Sequence, residues 1–337
     1  MDLKNRIRLL LELGEMMGSE QDLWQEAKKS AFAHNPWFTP EFIDLAIGQI
    51  VDRYLQKDLL EKWIQPYQFP QQSADPKNIG LVMAGNIPLV GFHDFLSIFI
   101  SGHRQLIKFS SKDQELMGAL LRFLYEQDPE TKDLIQTAPL LKGCDGYIAT
   151  GSNNSARYFD YYFKKYPSLI RRNRSSVAIL DGSEDKADLE KLADDVYLYF
   201  GLGCRNVTKI FVPENYDFVP LLAAFCKYRE LAGHHKYKNN YDYQLSLVIL
   251  NKRFYMTNES ILLLEDASPF SPISVLHYAY YSSRDQVIAS LPAENIQCIV
   301  GKGFLPFGKS QEPGLTDYAD GADTLLFLRG IGKDKRY

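Results

Sequence analysis

Residues Asn78–Ser110 read NIGLVMAGNIPLVGFHDFLSIFISGHRQLIKFS. Asn78 to Ala84 is a short apolar run closed by Gly85, Leu89 to Ser101 is a longer apolar stretch, and Gln105 to Phe109 is a second short run. Short apolar runs bounded by turn residues predict buried strands, so the stretch reads strand, helix, strand. The alternation continues. Asp113 to Gln127 places Leu116, Leu120, Leu121 and Leu124 at helical spacing, Asp145 to Thr150 is a strand running into Gly151, and Ser152 to Lys164 is the helix behind it. Val177 to Leu180 predicts a further strand, stopped by Asp181-Gly182, and Ala187 to Phe200 an amphipathic helix carrying Leu189, Leu192, Ala193 and Val196. Alternating strands and helices imply βαβ units and a parallel sheet. Ligands on such sheets bind beyond the carboxyl ends of the strands. That directs attention to Gly85–Pro88, Ser110–Lys112, Gly151–Asn153 and Asp181-Gly182. Downstream, Asn206 to Val212 predicts a strand and Phe218 to Leu231 a helix, and the remainder mixes strands with aromatic-rich loops.

Outward from this core, the first 65 residues read as helical. From Pro40, the residues Ile43, Ala46, Ile47, Ile50, Val51, Tyr54 and Leu55 recur at steps of three and four and form one stripe. Pro66 and the Pro70–Pro76 stretch then predict a linker. A chain of 337 residues suggests about two domains. With 38 Lys plus Arg against 42 Asp plus Glu, the net charge is −4, and 45% of residues are apolar. This balance excludes disorder and disfavours general nucleic-acid binding, which needs a basic surface. The run Ile87–Ile100 is broken by His93 and Asp94 and falls short of the roughly 20 apolar residues a membrane span needs. The N-terminus lacks signal-peptide character. Cys144, Cys204, Cys226 and Cys298 form no CxxC pair, so neither a zinc site nor a disulfide framework is expected. These features predict a reduced, cytoplasmic, water-soluble protein without a metal.

The segment Tyr199-Phe-Gly-Leu-Gly-Cys204-Arg-Asn206 ends a helix on two glycines and puts a thiol directly after them. Glycines let a substrate approach that sulfur closely. A free thiol titrates near 8.5, so the site must lower that value for attack, and the preceding helix presents the wrong dipole end. Read alone, a lone cysteine is more often a small buried hydrophobe. In Met83–Leu89, Asn86 offers a neutral amide donor suited to a developing oxyanion, or equally an N-cap. Thr150-Gly151-Ser152-Asn153 is a strand-turn-helix junction whose backbone N–H groups suit a phosphate or simply start a capped helix. No GxGxxG is present.

Taken in order, these pieces resemble the aldehyde dehydrogenase superfamily. The series is Gly85-Asn86-Ile87-Pro88, Gly102, Lys108-Phe109-Ser110, Thr150-Gly151-Ser152, Gly203-Cys204 and Leu305-Pro306-Phe307-Gly308-Lys309, over about residues 78 to 325. Arg171-Arg172-Asn173, the Gly201–Cys204 run and Asp317–Gly321 resemble the LuxC-type acyl-CoA reductase branch. The resemblance implies an α/β fold of aldehyde dehydrogenase type. It has N-terminal helices and a Rossmann-type nucleotide-binding domain over 1–203, an α/β catalytic-thiol domain over 204–312, and a return of 313–337 to the first domain. It further implies reduction of an acyl thioester to an aldehyde, with Cys204 as acyl-accepting nucleophile and Asn86 as oxyanion donor beside the Cys204 backbone N–H. Lys108 and Ser110 would hold the adenosine ribose, Gly151 and Ser152 the pyrophosphate, and Glu265 the second ribose, though Ser268–Pro272 departs from the family pattern after that glutamate. NAD-specific relatives carry a carboxylate where Ser111 stands, followed here by Lys112, which favours NADPH over NADH. Aldehyde-oxidising relatives carry a glutamate that activates water in the stretch matching Arg171–Arg174. Its absence here removes a base worth ~10²–10⁴ in rate and favours thioester reduction.

The implied substrate is an acyl-CoA or an acyl carrier, with a homodimer or a complex with an acyl-transferring protein as expected assembly. Two rivals stand beside this reading: an acyl transferase or thioesterase using Cys204 without hydride, and a non-catalytic acyl-carrier-binding partner. Arg171, Arg172 and Arg174 read as carrier-phosphate ligands or as a solvated basic edge. His93-Asp94 reads as a channel lining or a helix-face pair, and adjacent His234-His235 as surface or partly buried histidines. The tyrosines at 241–243 and 278–281 read as core or interface packing, and Cys144, Cys226 and Cys298 as structural.

Overall fold

A computed structural model of the chain describes residues 1–72 and 75–332. It divides into two compact units, Met1–Asn173 with the chain from Gly314 onward, and Arg174–Pro313. Part of the expected linker, residues 73–74, and the last five residues of the expected C-terminal return lie outside the described residues.

The first unit begins with four helices, α1 (Leu3–Met17), α2 (Asp22–His34), α3 (Pro40–Arg53) and α4 (Lys57–Ile64). Asp2 and Thr39 cap α1 and α3 by accepting the N–H groups of Asn5 and Phe42, and Pro40 fills the first turn of α3, where no N–H is needed. Then follow β1 (Asn78–Val82), α5 (Phe92–Ser101), β2 (Arg104–Lys108), α6 (Glu115–Gln127), the single turn α7 (Thr131–Leu134), β3 (Ile135–Thr137), β4 (Gly146–Thr150), α8 (Asn153–Phe163) and β5 (Ser168–Arg171). The sheet is wholly parallel in the order β3-β2-β1-β4-β5, with a topological switch between β1 and β4. Helix α5 is largely apolar and largely covered: Phe95, Leu96, Ile98, Phe99 and Ile100 are 0% exposed, packed among the sheet and α1.

The second unit contains β6 (Ser175–Ile179), α9 (Lys186–Tyr197), β7 (Val207–Pro213), α10 (Val219–Phe225), α11 (His235–Leu250), β8 (Met256–Thr257), β9 (Leu262–Glu265), β10 (Val275–Tyr281), α12 (Arg284–Ser290) and β11 (Ile296–Gly301). Its sheet runs β11-β6-β7-β10-β9-β8, parallel except for the β8–β9 pair. The chain then re-enters the first unit, where α13 (Thr324–Gly330) packs on α5.

The structure divides the chain after Asn173, where sequence reading put the division after Gly203. The reason is pairing: the strand at Ser175–Ile179 hydrogen-bonds to β7 and β11, so it and α9 join the second sheet. Among the elements not foreseen individually are β3, β5 and α11. Strands β3 and β5 are short edges with polar residues, and α11 carries Tyr237, Tyr241 and Val248 inward from a stretch rich in Asn, Lys and Tyr. Tyr241 and Tyr278 are buried as expected of packing residues, whereas Tyr243 is exposed.

Candidate active site

The candidate residues fall in both units. In the second, α9 ends at Tyr197 and the chain turns sharply: Tyr199, Phe200 and Gly201 have φ of 54°, 57° and 73°. Two consecutive non-glycine residues in the left-handed region cost about 1–2 kcal/mol each, so neighbours must hold them there. Both side chains are buried, and Phe200 packs on His234 and Tyr237 at ring distances of 4.5 and 5.7 Å.

The main brace is Asn206, which is 0% exposed. Its Nδ2 donates to the carbonyls of Leu198 (2.8 Å), Asp195 (3.1 Å) and Val196 (3.4 Å), and its Oδ1 accepts the Gly203 N–H at 2.8 Å. One amide thus serves carbonyls at and just beyond the end of α9 and pins the residue before Cys204. The Cys204 carbonyl accepts the Ser176 hydroxyl at 3.1 Å, and the Asn206 carbonyl accepts the Ser176 N–H, stitching the turn to β6. Cys204 is a partly exposed thiol in this rigid turn, not a buried filler. Cys144 is buried, Cys226 is exposed, and Cys298 places Sγ 3.0 Å from Ser176 Oγ. Sequence reading took Asn206 only as the start of a strand; its signal was a carboxamide two residues past the thiol.

The same end of α9 holds the Pro306–Ser310 loop. Asp195 is buried and accepts the Gly308 N–H at 2.7 Å and the Ser310 N–H at 2.9 Å. Burial pushes its carboxyl up to about 6. Glu265 ends β9 with an exposed side chain.

In the first unit, the loops after β1, β2 and β4 lie at the carboxyl ends of adjacent strands, the position at which open α/β sheets bind ligands. Gly85 lets two of them meet, because a Cβ there would sit 2.6 Å from Ser110 Oγ and 2.7 Å from Ser110 Cβ. Asn86 follows, half-buried; α5 is capped by Gly91, so Asn86 is not its N-cap. Lys108 closes β2 with its side chain exposed, and Ser111 and Lys112 are exposed beyond it. Ser152 caps α8 by accepting the Ser155 N–H, and a Cβ on Gly151 would lie 2.9 Å from Ser155 Cβ and 3.0 Å from a Phe159 ring carbon. A bare backbone before a helix N-terminus, beside two polar strand ends, suits a dinucleotide. Asp113 is the residue sequence reading passed over here. Its Oδ2 accepts the N–H of Leu89, itself left-handed at φ 56°, at 2.7 Å, which ties the Asn86 loop to the Ser110 loop. Its Oδ1 is buried without a hydrogen-bond partner, and burial pushes the carboxyl up to about 7.

The arginines separate by role. Arg171 is 2% exposed and bonds Asp94 Oδ1 (2.7 Å), Thr324 Oγ1 (2.7 Å) and the Ala319 carbonyl, so it secures the returning C-terminal segment and presents nothing to a phosphate. Arg172 is exposed and pairs with Asp160, and Arg174 donates to the carbonyls of Ala293 and Ile296. His93 lies among Tyr54, Trp63 and Tyr318 with Nε2 3.0 Å from the Leu315 carbonyl, a packing role like that of Asp94. His234 caps α11 by accepting the Tyr237 N–H. Among the described residues no helix is long and apolar enough to cross a membrane, and no cluster of three His, Cys, Asp or Glu suits a metal.

The family profile for acyl-CoA reductase (LuxC) matches residues 45–224. Long-chain acyl-protein thioester reductase 2 of Photobacterium leiognathi is 23% identical over 218 residues, 58% of this chain and 45% of that protein, so the chain spans under half that relative's length. Among solved structures, aldehyde dehydrogenase 21 from Physcomitrella patens, in complex with succinate, aligns with a TM-score of 0.68 at 12% identity, covering 90% of this chain and 74% of that one. Succinic semialdehyde dehydrogenase from Streptococcus pyogenes, solved with NADP+, gives 0.65 at 16% identity over 88% of this chain and 76% of its own. A Mycobacterium tuberculosis aldehyde dehydrogenase complexed with NAD+ gives 0.62 at 13%, over 86% and 70%. At these identities the likeness establishes the fold, which is that of the aldehyde dehydrogenases.

Proposed function

This chain belongs to the LuxC acyl-CoA reductase family, and from that membership we propose that it reduces an acyl thioester to an aldehyde, with NADPH or NADH, through an acyl-enzyme on Cys204. The observation that carries this reading is the braced turn that holds a partly exposed thiol shortly after two consecutive left-handed non-glycine residues. In this reading the Cys204 sulfur attacks the acyl carbonyl, the carbon–sulfur bond to the carrier breaks, and the carrier thiol leaves with a proton. Asn86 Nδ2 and the Cys204 backbone N–H stabilise the oxyanion. A reduced nicotinamide, when bound, supplies the hydride. Addition of hydride to the thioester carbon leaves a thiohemiacetal anion on Cys204, whose collapse frees the aldehyde and returns the thiolate, which takes a proton from water to restore the thiol. Covalent capture divides one hard displacement into two easier ones.

Lys108 and Ser110 are assigned to the adenosine ribose, Gly151 and Ser152 to the pyrophosphate, and Glu265 to the second ribose. Exposed Lys112, with no carboxylate at Ser111, favours NADPH. The lack of a general base for water is supported by Arg171, a buried cation paired with Asp94 in the matching stretch. The acyl group arrives on coenzyme A or on a carrier protein.

Intact-mass analysis after incubation with an acyl-CoA, and again after NADPH, tests the reading. A gain of the acyl mass on wild type, absent in Cys204→Ala and discharged as aldehyde only when NADPH is added, is the expected result. Discharge without NADPH would instead establish a transferase or thioesterase. No mass gain at all would leave a binding partner that keeps the fold.

A further inference from the structure

The residues after Glu265 are polar and proline-containing, yet they do not run free over the surface. Their carbonyls are taken up in succession by side chains of β7, β10 and the segment itself. Lys209 Nζ donates to the Asp266 carbonyl at 2.7 Å and the Ala267 carbonyl at 2.8 Å. His277 Nδ1 lies 3.0 Å from the Ser268 carbonyl, which requires the proton on that nitrogen. Thr208 Oγ1 donates to the Pro269 carbonyl at 2.5 Å, and Ser268 Oγ to the Phe270 carbonyl at 3.0 Å. The Asp266 carboxylate accepts the Ser268 N–H at 2.9 Å and Arg253 at 3.1 Å.

Lys209 and His277 stand opposite each other in the parallel register of β7 and β10, 3% and 6% exposed. Burying an ammonium is costly, and an apolar side chain of similar volume would pack there at lower cost. The partners of this one are two peptide oxygens and, at 4.9 Å, the face of Phe211. What the cation supplies is a fixed address for the segment. Thr208 is also bonded to Ser175 on β6, and Lys209 lies on the strand that leaves the Cys204 turn. The chain beyond Glu265 is therefore registered to the strand that follows the thiol's turn.

We propose that Lys209 is a positioning residue: with His277 and Thr208 it fixes Asp266–Pro269, and through that segment it aims Glu265 at the cofactor ribose. The proposal rests on the reading of Glu265 given above. Lys209→Met and Lys209→Arg test it with three measurements: amide exchange over 265–272, steady-state constants for NADPH, and the rate of Cys204 acylation by acyl-CoA without cofactor. Lys209→Met is expected to speed exchange in this segment and raise the KM for NADPH about tenfold, while acylation stays within about twofold, since two carbonyls lose a charged donor. Lys209→Arg keeps a cation and several donors and is expected to return both quantities to within about threefold of wild type. Unchanged exchange, or acylation falling in step with the NADPH effect, overturns the proposal; should Lys209→Met fail to fold, His277→Leu carries the same measurements. If wild type consumes no NADPH, the functional reading itself fails, a result separate from a Lys209→Met enzyme that keeps wild-type NADPH kinetics.

Discussion

The Asn206→Asp substitution changes a single NH2 into an oxygen and leaves the shape intact. In wild type that nitrogen faces three carbonyl oxygens at 2.8, 3.1 and 3.4 Å, in a position 0% exposed. An ionised carboxylate cannot sit there, so the introduced carboxyl must be protonated in the folded protein. Keeping a carboxyl neutral at pH 7, when its unfolded pKa is near 3.9, costs about 4 kcal/mol, and the same arithmetic gives about 1.5 kcal/mol at pH 5. The folded pKa is raised, so the deficit is absent below the unfolded pKa and grows as pH rises toward the folded one. To this is added about 1 kcal/mol at any pH for the second donor lost. All three tryptophans, Trp24, Trp37 and Trp63, lie in the first unit, so fluorescence does not report this change. Native-state amide exchange over 196–210, with the rate of Cys204 acylation at pH 5 and pH 7, does. The expected result is a deficit that is large at pH 7 and about halved at pH 5, with acylation slowed at least tenfold at pH 7. Equal deficits at the two pH values would refute the assignment of the Asn206 nitrogen to the three carbonyls. Normal acylation in a destabilised protein would show that the brace does not serve the thiol.

Three further outcomes are expected. The raised Asp113 carboxyl contributes stability that is present below pH 4 and lost as pH rises through about 7, so wild type should lose up to roughly 4 kcal/mol relative to Asp113→Asn across that window, read by tryptophan fluorescence in urea. Parallel profiles would show that Oδ1 finds a partner. Arg171→Met strands buried Asp94 and should cost about 3–5 kcal/mol by the same probe, together with faster exchange over 314–332; a variant of normal stability with only a raised KM for acyl-CoA would return Arg171 to the phosphate. Ser111→Glu puts a carboxylate on an exposed position beside Lys112, and should shift the preference from NADPH toward NADH by about tenfold or more in kcat/KM; no shift would place the 2′-phosphate elsewhere.

Local patterning was readable wherever one face meets the core. The strand at Asn78–Val82, the helix ending at Ser101 and the helix at Glu115–Gln127 agree with sequence reading to within a few residues, because their apolar periods are long and undiluted. The candidate thiol and amide were also named from sequence, through glycines and strand ends that local chemistry makes conspicuous. The polar residues that brace them were not. Lys209 reads only as one residue of a predicted strand and Asp113 only as the first residue of a predicted helix, because burial of a polar group depends on partners far along the chain.

The periodicity of each element, the stops at Gly85 and Gly151, and the isolation of Cys204 after two glycines are written in the chain itself, since backbone freedom and side-chain spacing are properties of a few consecutive residues. It took the folded molecule to establish that the strand at Ser175 pairs with β7 and β11, that Arg171 meets Asp94 and Thr324, and that Lys209 and His277 reach the carbonyls after Glu265. Strand partners are selected by burial summed over a whole sheet, and a buried polar atom is satisfied by whichever distant group the fold brings within hydrogen-bond reach.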